Sequence, residues 1–192
     1  MQSNNIQTTF LALIVSLVAA CDDPSTPFAE DSSAVDDVPA SELEGDVDDD
    51  VTPRSGGKAM TWTKNSHNSS FGTDHVGCTT CNAYTGDTMC TAFLPVLCIK
   101  QDGSPKPSSL SVDFHNGWAG GHIATTHAIQ GTTLTSLQVA NQFCVDSFGS
   151  GWRMAEFHDG KGGWNWHVFG NVRQDTRFWV HINDQPSNCW NL

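Results

Sequence analysis

Glu156, His158 and Asp159 lie close together, and His167 follows after a short loop. Residues two apart on an extended chain share a face. Glu156 and His158 therefore have the types and spacing for acid–base work or for holding a metal. The chain has 8 His in all, and scattered surface positions account for most of them. His122 and His127, five apart in a strand-like stretch, fall on opposite faces. Trp164 and Trp166 flank Asn165 just after the Gly-rich residues 160–163. If that loop is extended, both indoles meet one ligand, with apolar faces for a sugar ring and N–H groups for its hydroxyls. The competing use of the 7 Trp is to fill a small core, and Trp152, Trp179 and Trp190 are expected there. Gly-x-Ser-x-Gly, His-Glu-x-x-His and phosphate-loop motifs are absent, so no catalytic residue, metal or cofactor is expected.

Cysteine supplies the second chemistry. Setting aside Cys21 leaves Cys78, Cys81, Cys90, Cys98, Cys144 and Cys189. An even set in an exported domain reads as a disulfide framework, and six cysteines allow 15 connectivities. Cys78 and Cys81 have redox-motif spacing, but turn-forming residues flank them where a reactive thiol normally opens a helix. A zinc site needs a second ligand pair at short spacing, and Cys90 and Cys98 have seven residues between them.

These side chains need elements to hold them. Residues 92–100 form an apolar run that reads as a strand, with Pro95 at its edge and a turn at 101–103. A Pro/Ser loop covers 103–109. Residues 112–115 alternate weakly, and the glycines of 117–121 break the pattern. Residues 133–148 predict a helix capped by Thr135 or Ser136. Leu137, Ala140, Cys144 and Phe148 share its face, and Gly149 and Gly151 stop it. Residues 152–157 read as a short strand or extended turn, 178–182 as a strand, and 183–186 as the turn that follows.

Charge divides the chain. The formal net charge is -12. Residues 22–50 carry 12 of the 21 acidic residues and no Lys or Arg, whereas 9 basic and 9 acidic residues balance from Arg54 onward. A nucleic-acid binder needs clustered bases to neutralise phosphate, so that class is excluded. A multi-pass membrane protein is excluded too, because apart from the strand-like 92–100 only residues 10–20 form an apolar run. That run is too short for the roughly 20 residues of a spanning helix and fits a signal-peptide core. Residues 1–20 are therefore read as a signal peptide. Residues 21–57 are read as an acidic, disordered tether, too poor in apolar groups to fold and extended by self-repulsion. Its DVDDD stretch lacks the Gly and Glu of an EF-hand loop. Residues 58–192 form one globular domain.

Two resemblances complete the reading. Val18-Ala19-Ala20-Cys21 resembles the bacterial lipobox. That resemblance implies lipid attachment at Cys21 and a cell-envelope location, anchored to a bacterial membrane or secreted. Further on stand Ala140-x-x-x-Cys144, the Gly149-x-Gly151-Trp152-Arg153-Met154-Ala155 segment, Phe178-Trp179-Val180, Asn183-Asp184 and Cys189-Trp190. Together they look like a bacterial C-type-lectin-like domain. The resemblance implies an α+β fold, small and disulfide-stabilised, of mostly short antiparallel strands and loops with one helix. It also implies a Cys144–Cys189 bond. The calcium and sugar motif of that family is missing, so calcium dependence is not implied. The expected function is a non-catalytic, membrane-tethered binding module for cell-surface carbohydrate or protein. Its ligand residues are expected to be Trp164, Trp166, His158, His167, Asn183 and Asp184. The alternatives are a structural protein of the envelope or an appendage, and a zinc-dependent hydrolase using Glu156, His158 and His167.

Overall fold

The structure, a computed structural model, describes residues 57–191. The expected signal peptide, Cys21 and the tether up to residue 56 lie outside the described residues. Nine strands and one helix follow in order: β1 (Lys58–Ala59), β2 (Thr61–Asn68), β3 (Thr73–Gly77), β4 (Thr88–Met89), β5 (Phe93–Gln101), β6 (Asn116–Gln130), α1 (Leu137–Phe148), β7 (Arg153–Met154), β8 (Asn165–Phe169) and β9 (Phe178–Trp179). This is a small, disulfide-rich α+β domain. β1 pairs with β4 alone. The other strands run in the order β6-β8-β3-β2-β9-β5-β7, and β6 also pairs with β5, so the row closes on itself. Closure leaves fewer exposed strand edges to template aggregation.

β6 makes that closure possible, and its glycines explain how. Its first residues run parallel to β8, and residues from Gly121 onward run antiparallel to β5. The register shifts between Trp118 and His122, and Gly120 there has φ +71°. Only a residue without Cβ takes that conformation cheaply. The glycines expected to end a strand instead bend one 15-residue strand between two partners. Residues 112–115 precede it and are not a strand.

The helix begins where its sequence says it should. Ser136 is the N-cap and its hydroxyl accepts from the Val139 amide at 3.1 Å. Ala140 and Cys144 are its buried residues. They pack with Val96, Cys98, Leu134, Met154 and Trp179 in one core cluster. A second cluster holds Met60, Trp62, Leu97, Phe157, Trp166 and Phe178.

The disulfides are Cys78–Cys81, Cys90–Cys189 and Cys98–Cys144. This corrects the expected Cys144–Cys189 bond. Cys144 faces β5 from the helix, and its Cα lies 5.7 Å from that of Cys98. Cys189 meets Cys90, just after β4, at the same Cα separation. Both spans lie in the range a disulfide requires. Such bonds persist in oxidising, extracytoplasmic surroundings. Among the described residues no helix is long and apolar enough to cross a membrane.

Candidate functional site

Three turns and the segment after β9 converge on one open cleft of about 200 Å³. The first turn carries Tyr84. Asn82 Oδ1 accepts from the amides of Tyr84 and Thr85 at 3.0 Å, and the Asn82 amide donates to Asp87 Oδ2 at 2.9 Å. Asp87 in turn accepts from the Thr61 hydroxyl at 2.5 Å and from Arg177 at 3.1 Å. The second turn carries Phe114. Asp113 Oδ1 accepts from the His115 and Asn116 backbone amides at 2.8 Å, and the Asn116 side-chain amide, followed by these backbone bonds, holds the Asp113 carboxyl below its ordinary pKa. Tyr84 is 58% exposed and Phe114 70%. An aromatic ring held this open on a self-bonded turn is available to a ligand.

The third turn is the Gly-rich stretch leading to Trp164. A Cβ at Gly162 would overlap the carbonyl of Phe114, and one at Gly163 would press on the Phe157 ring at 2.7 Å. The loop can therefore lie against its neighbours only as glycine. Trp164 has φ +68°, a costly conformation for a bulky residue that the surroundings must hold in place. Its ring meets Phe157 edge-on at 5.4 Å. Phe157 is buried and lines the cleft from beneath.

That φ also separates the two tryptophans expected to act together. Because the backbone is left-handed at residue 164, extended alternation starts only in β8. Trp166 there is 0% exposed, tilted against Trp62 at 5.4 Å, with its Nε1 lacking a partner among the described residues. It is a core residue and not a ligand residue.

His158 lines the cleft and Glu156 sits behind it. His158 Nδ1 is 2.9 Å from Glu156 Oε1. A carboxylate only accepts, so Nδ1 carries the proton. Glu156 also accepts from the His158 amide at 2.5 Å and the Asn183 amide at 3.3 Å. His158 Nε2 turns toward Asp184, 3.8 Å away. Asp184 and Gln185 complete the lining. Asn183, one residue earlier, falls in a second cleft of about 310 Å³ with Glu156, Arg153, Asp159 and His181. There Arg153 Nη1 reaches Asp159 at 3.1 Å. Burial pushes the Asp159 carboxyl up while Arg153 pulls against it. Burial also holds the His181 imidazole below its ordinary value.

His167 lies elsewhere. It faces His75 across the β3–β8 pairing, and the rings stack at 4.2 Å. Glu156, His158 and His167 thus do not converge. Among the described residues no group of three His, Cys, Asp or Glu side chains is placed to hold a metal ion. Burial, reinforced by His75, pushes His167 down to about 4, and burial likewise lowers His75. Both rings are neutral in the folded protein at neutral pH and charge more readily when unfolded. Their stabilising contribution is complete above the unfolded value of 6.5 and is lost as pH falls from there toward 4. The rings are only half-buried, so the loss is on the order of 1–2 kcal/mol. Urea unfolding at pH 7.5 and 4.5 checks it: replacing both His75 and His167 by Phe should flatten the pH dependence. An unchanged slope would refute the assignment.

Of the residues expected from the sequence, Trp164, His158 and Asp184 line this cleft, which Tyr84 and Phe114, not expected there, also line. Their signal was one aromatic residue set inside each of two Asx-type turns. Comparison with protein-family models, curated proteins and solved structures gives no match for this chain.

Proposed function

We propose that this chain is an exported, membrane-tethered binding module of lectin-like character, and that the Tyr84–Phe114–Trp164 cleft takes a cell-surface ligand, carbohydrate or protein. The observation that carries the reading is the cleft itself. Four aromatic residues and the polar groups of His158, Asp184 and Gln185 converge from separate segments of a disulfide-stapled frame. Concave sites of apolar faces with a few placed polar groups are the usual form of a ligand pocket. The tether expected from residues 21–57 and the lipid on Cys21 would keep the domain at a membrane while leaving the cleft free.

Two tryptophans test this. Trp164→Ala should abolish retention on cell-surface glycan or envelope extracts, at least 30-fold in Kd if Trp164 anchors the ligand with about 2 kcal/mol. Its melting temperature should stay near that of the unmodified protein. Trp166→Ala should instead unfold the domain, since emptying a buried indole site costs about 3–5 kcal/mol. Unaltered retention by folded Trp164→Ala would count against the cleft.

A second reading, a structural or assembly protein, has its own support in an apolar groove of about 250 Å³ along α1. Ile129, Leu134, Val139 and Phe143 line it. Stoichiometric capture of one envelope protein, abolished by Val139→Asp and indifferent to Trp164→Ala, would favour that reading.

A further inference from the structure

We infer that the cleft selects a positively charged ligand group, a quaternary ammonium or a protonated amine; this rests on the reading of the cleft as the ligand site. The carboxylates point to it. Asp74 is paired with Lys64, Asp159 with Arg153 and Asp87 with Arg177. Glu156 is buried like Asp74 and Asp159, yet among the described residues it forms no salt bridge with Lys or Arg, although Arg153 shares the second cleft with it. Its partners are two backbone amides and the His158 ring. Asp184, with its side chain 58% exposed, has among the described residues only His158 Nε2 as an ion-pair partner, at 3.8 Å. Among the described residues neither Lys nor Arg lines the cleft. The Asp184 carboxylate therefore faces the cleft with no Lys or Arg against it, and Glu156 stands behind the cleft wall, bonded to His158.

The aromatic residues add to the same field. Tyr84, Phe114 and Trp164 bring rings from three turns, and the buried Phe157 forms the floor beneath them. The face of an aromatic ring is the negative pole of its quadrupole, and several rings around one site attract an organic cation within about 6 Å of each centroid. Rings and a carboxylate together suit an ammonium group whose charge is spread over carbon, since bare Na⁺ or K⁺ would lose its water for little return. The volume of about 200 Å³ is below the roughly 300–1,000 Å³ of drug-sized sites, so the cleft takes one head group or a single ring. A neutral sugar would stack on the same rings but leave Asp184 without a counter-charge.

Calorimetric titration of the natively exported chain tests the inference with three probes. These are choline chloride, a chitosan tetrasaccharide with free amines, and the fully acetylated chitin tetrasaccharide. Choline, the chitosan probe or both should bind at least ten-fold more tightly than the chitin probe, and more weakly as salt rises. Choline alone would identify a quaternary head group, and chitosan alone an amino sugar. Asp184→Asn, at an exposed position, should weaken the cationic probes about five- to ten-fold and leave the chitin probe unchanged. Trp164→Ala should remove all binding. Chitin binding as tight as chitosan would overturn the charge selection and leave the carbohydrate reading standing. Failure of all three probes to bind the folded protein would overturn the inference too. Retention on cell-surface material, lost in Trp164→Ala, would then show whether the cleft is still the ligand site.

Discussion

Replacing Cys90 and Cys189 together by Ala is expected to lower the unfolding free energy by about 4–5 kcal/mol, the largest effect among the three disulfides. The bond closes the chain across 99 residues, and a cross-link restricts the unfolded chain more as the loop it closes grows. Cys98–Cys144, with a separation of 46, follows at about 4 kcal/mol by the same loop-entropy relation. Cys78–Cys81, with a separation of 3, comes last at about 2 kcal/mol. Urea titrations of the three paired Cys→Ala variants read this order directly. A Cys78/Cys81 variant as unstable as the Cys90/Cys189 variant would show that native packing around the sulfurs, and not loop closure, sets the effect.

Asp74→Ala should cost about 3–5 kcal/mol, because it leaves a buried ammonium without its counter-charge. Asp74 is fully buried. Its carboxylate accepts from the Val172 amide and from His67 Nδ1, both at 2.7 Å, and stands 3.4 Å from Lys64 Nζ. Lys64 reaches the Val172 carbonyl at 2.6 Å and Asn171 Oδ1 at 2.9 Å. The group ties β2 and β3 to the segment after β8. A double variant separates charge from packing. Asp74→Ala placed on Lys64→Met should cost clearly less than on the native background, since no stranded charge is left behind. Equal costs in denaturant unfolding would assign the effect to the Val172 and His67 bonds alone.

What could be read from the sequence was local. The helix was legible because Ser136 and the Leu137, Ala140, Cys144 and Phe148 stripe act within a few residues of each other. An even cysteine set announced the disulfides. Their partners depended on which strands meet, and Cys98 becomes the neighbour of Cys144 only once β5 runs beneath α1. β6 was missed because glycine normally weakens strands, whereas here it permits a bend between two partners. Trp164 and Trp166 were paired by assuming an extended loop, and one left-handed residue undid that alternation. Glu156 and His158 survived as a pair because their contact spans only two positions.

The contact of β1 with the Tyr84 turn has a mechanical meaning. Gly86 packs against the Lys58 backbone, and the Asp87 amide donates to the Ala59 carbonyl at 3.1 Å. Asp87 also holds the Asn82 amide at the head of that turn. A pull applied at Gly57 peels a two-residue ladder, β1 from β4, and disturbs Asp87 as it goes. Tension thus reaches the rim of the cleft in the same step as it lifts Ala59 from the core: the handle and the gripping edge are built from one piece of backbone.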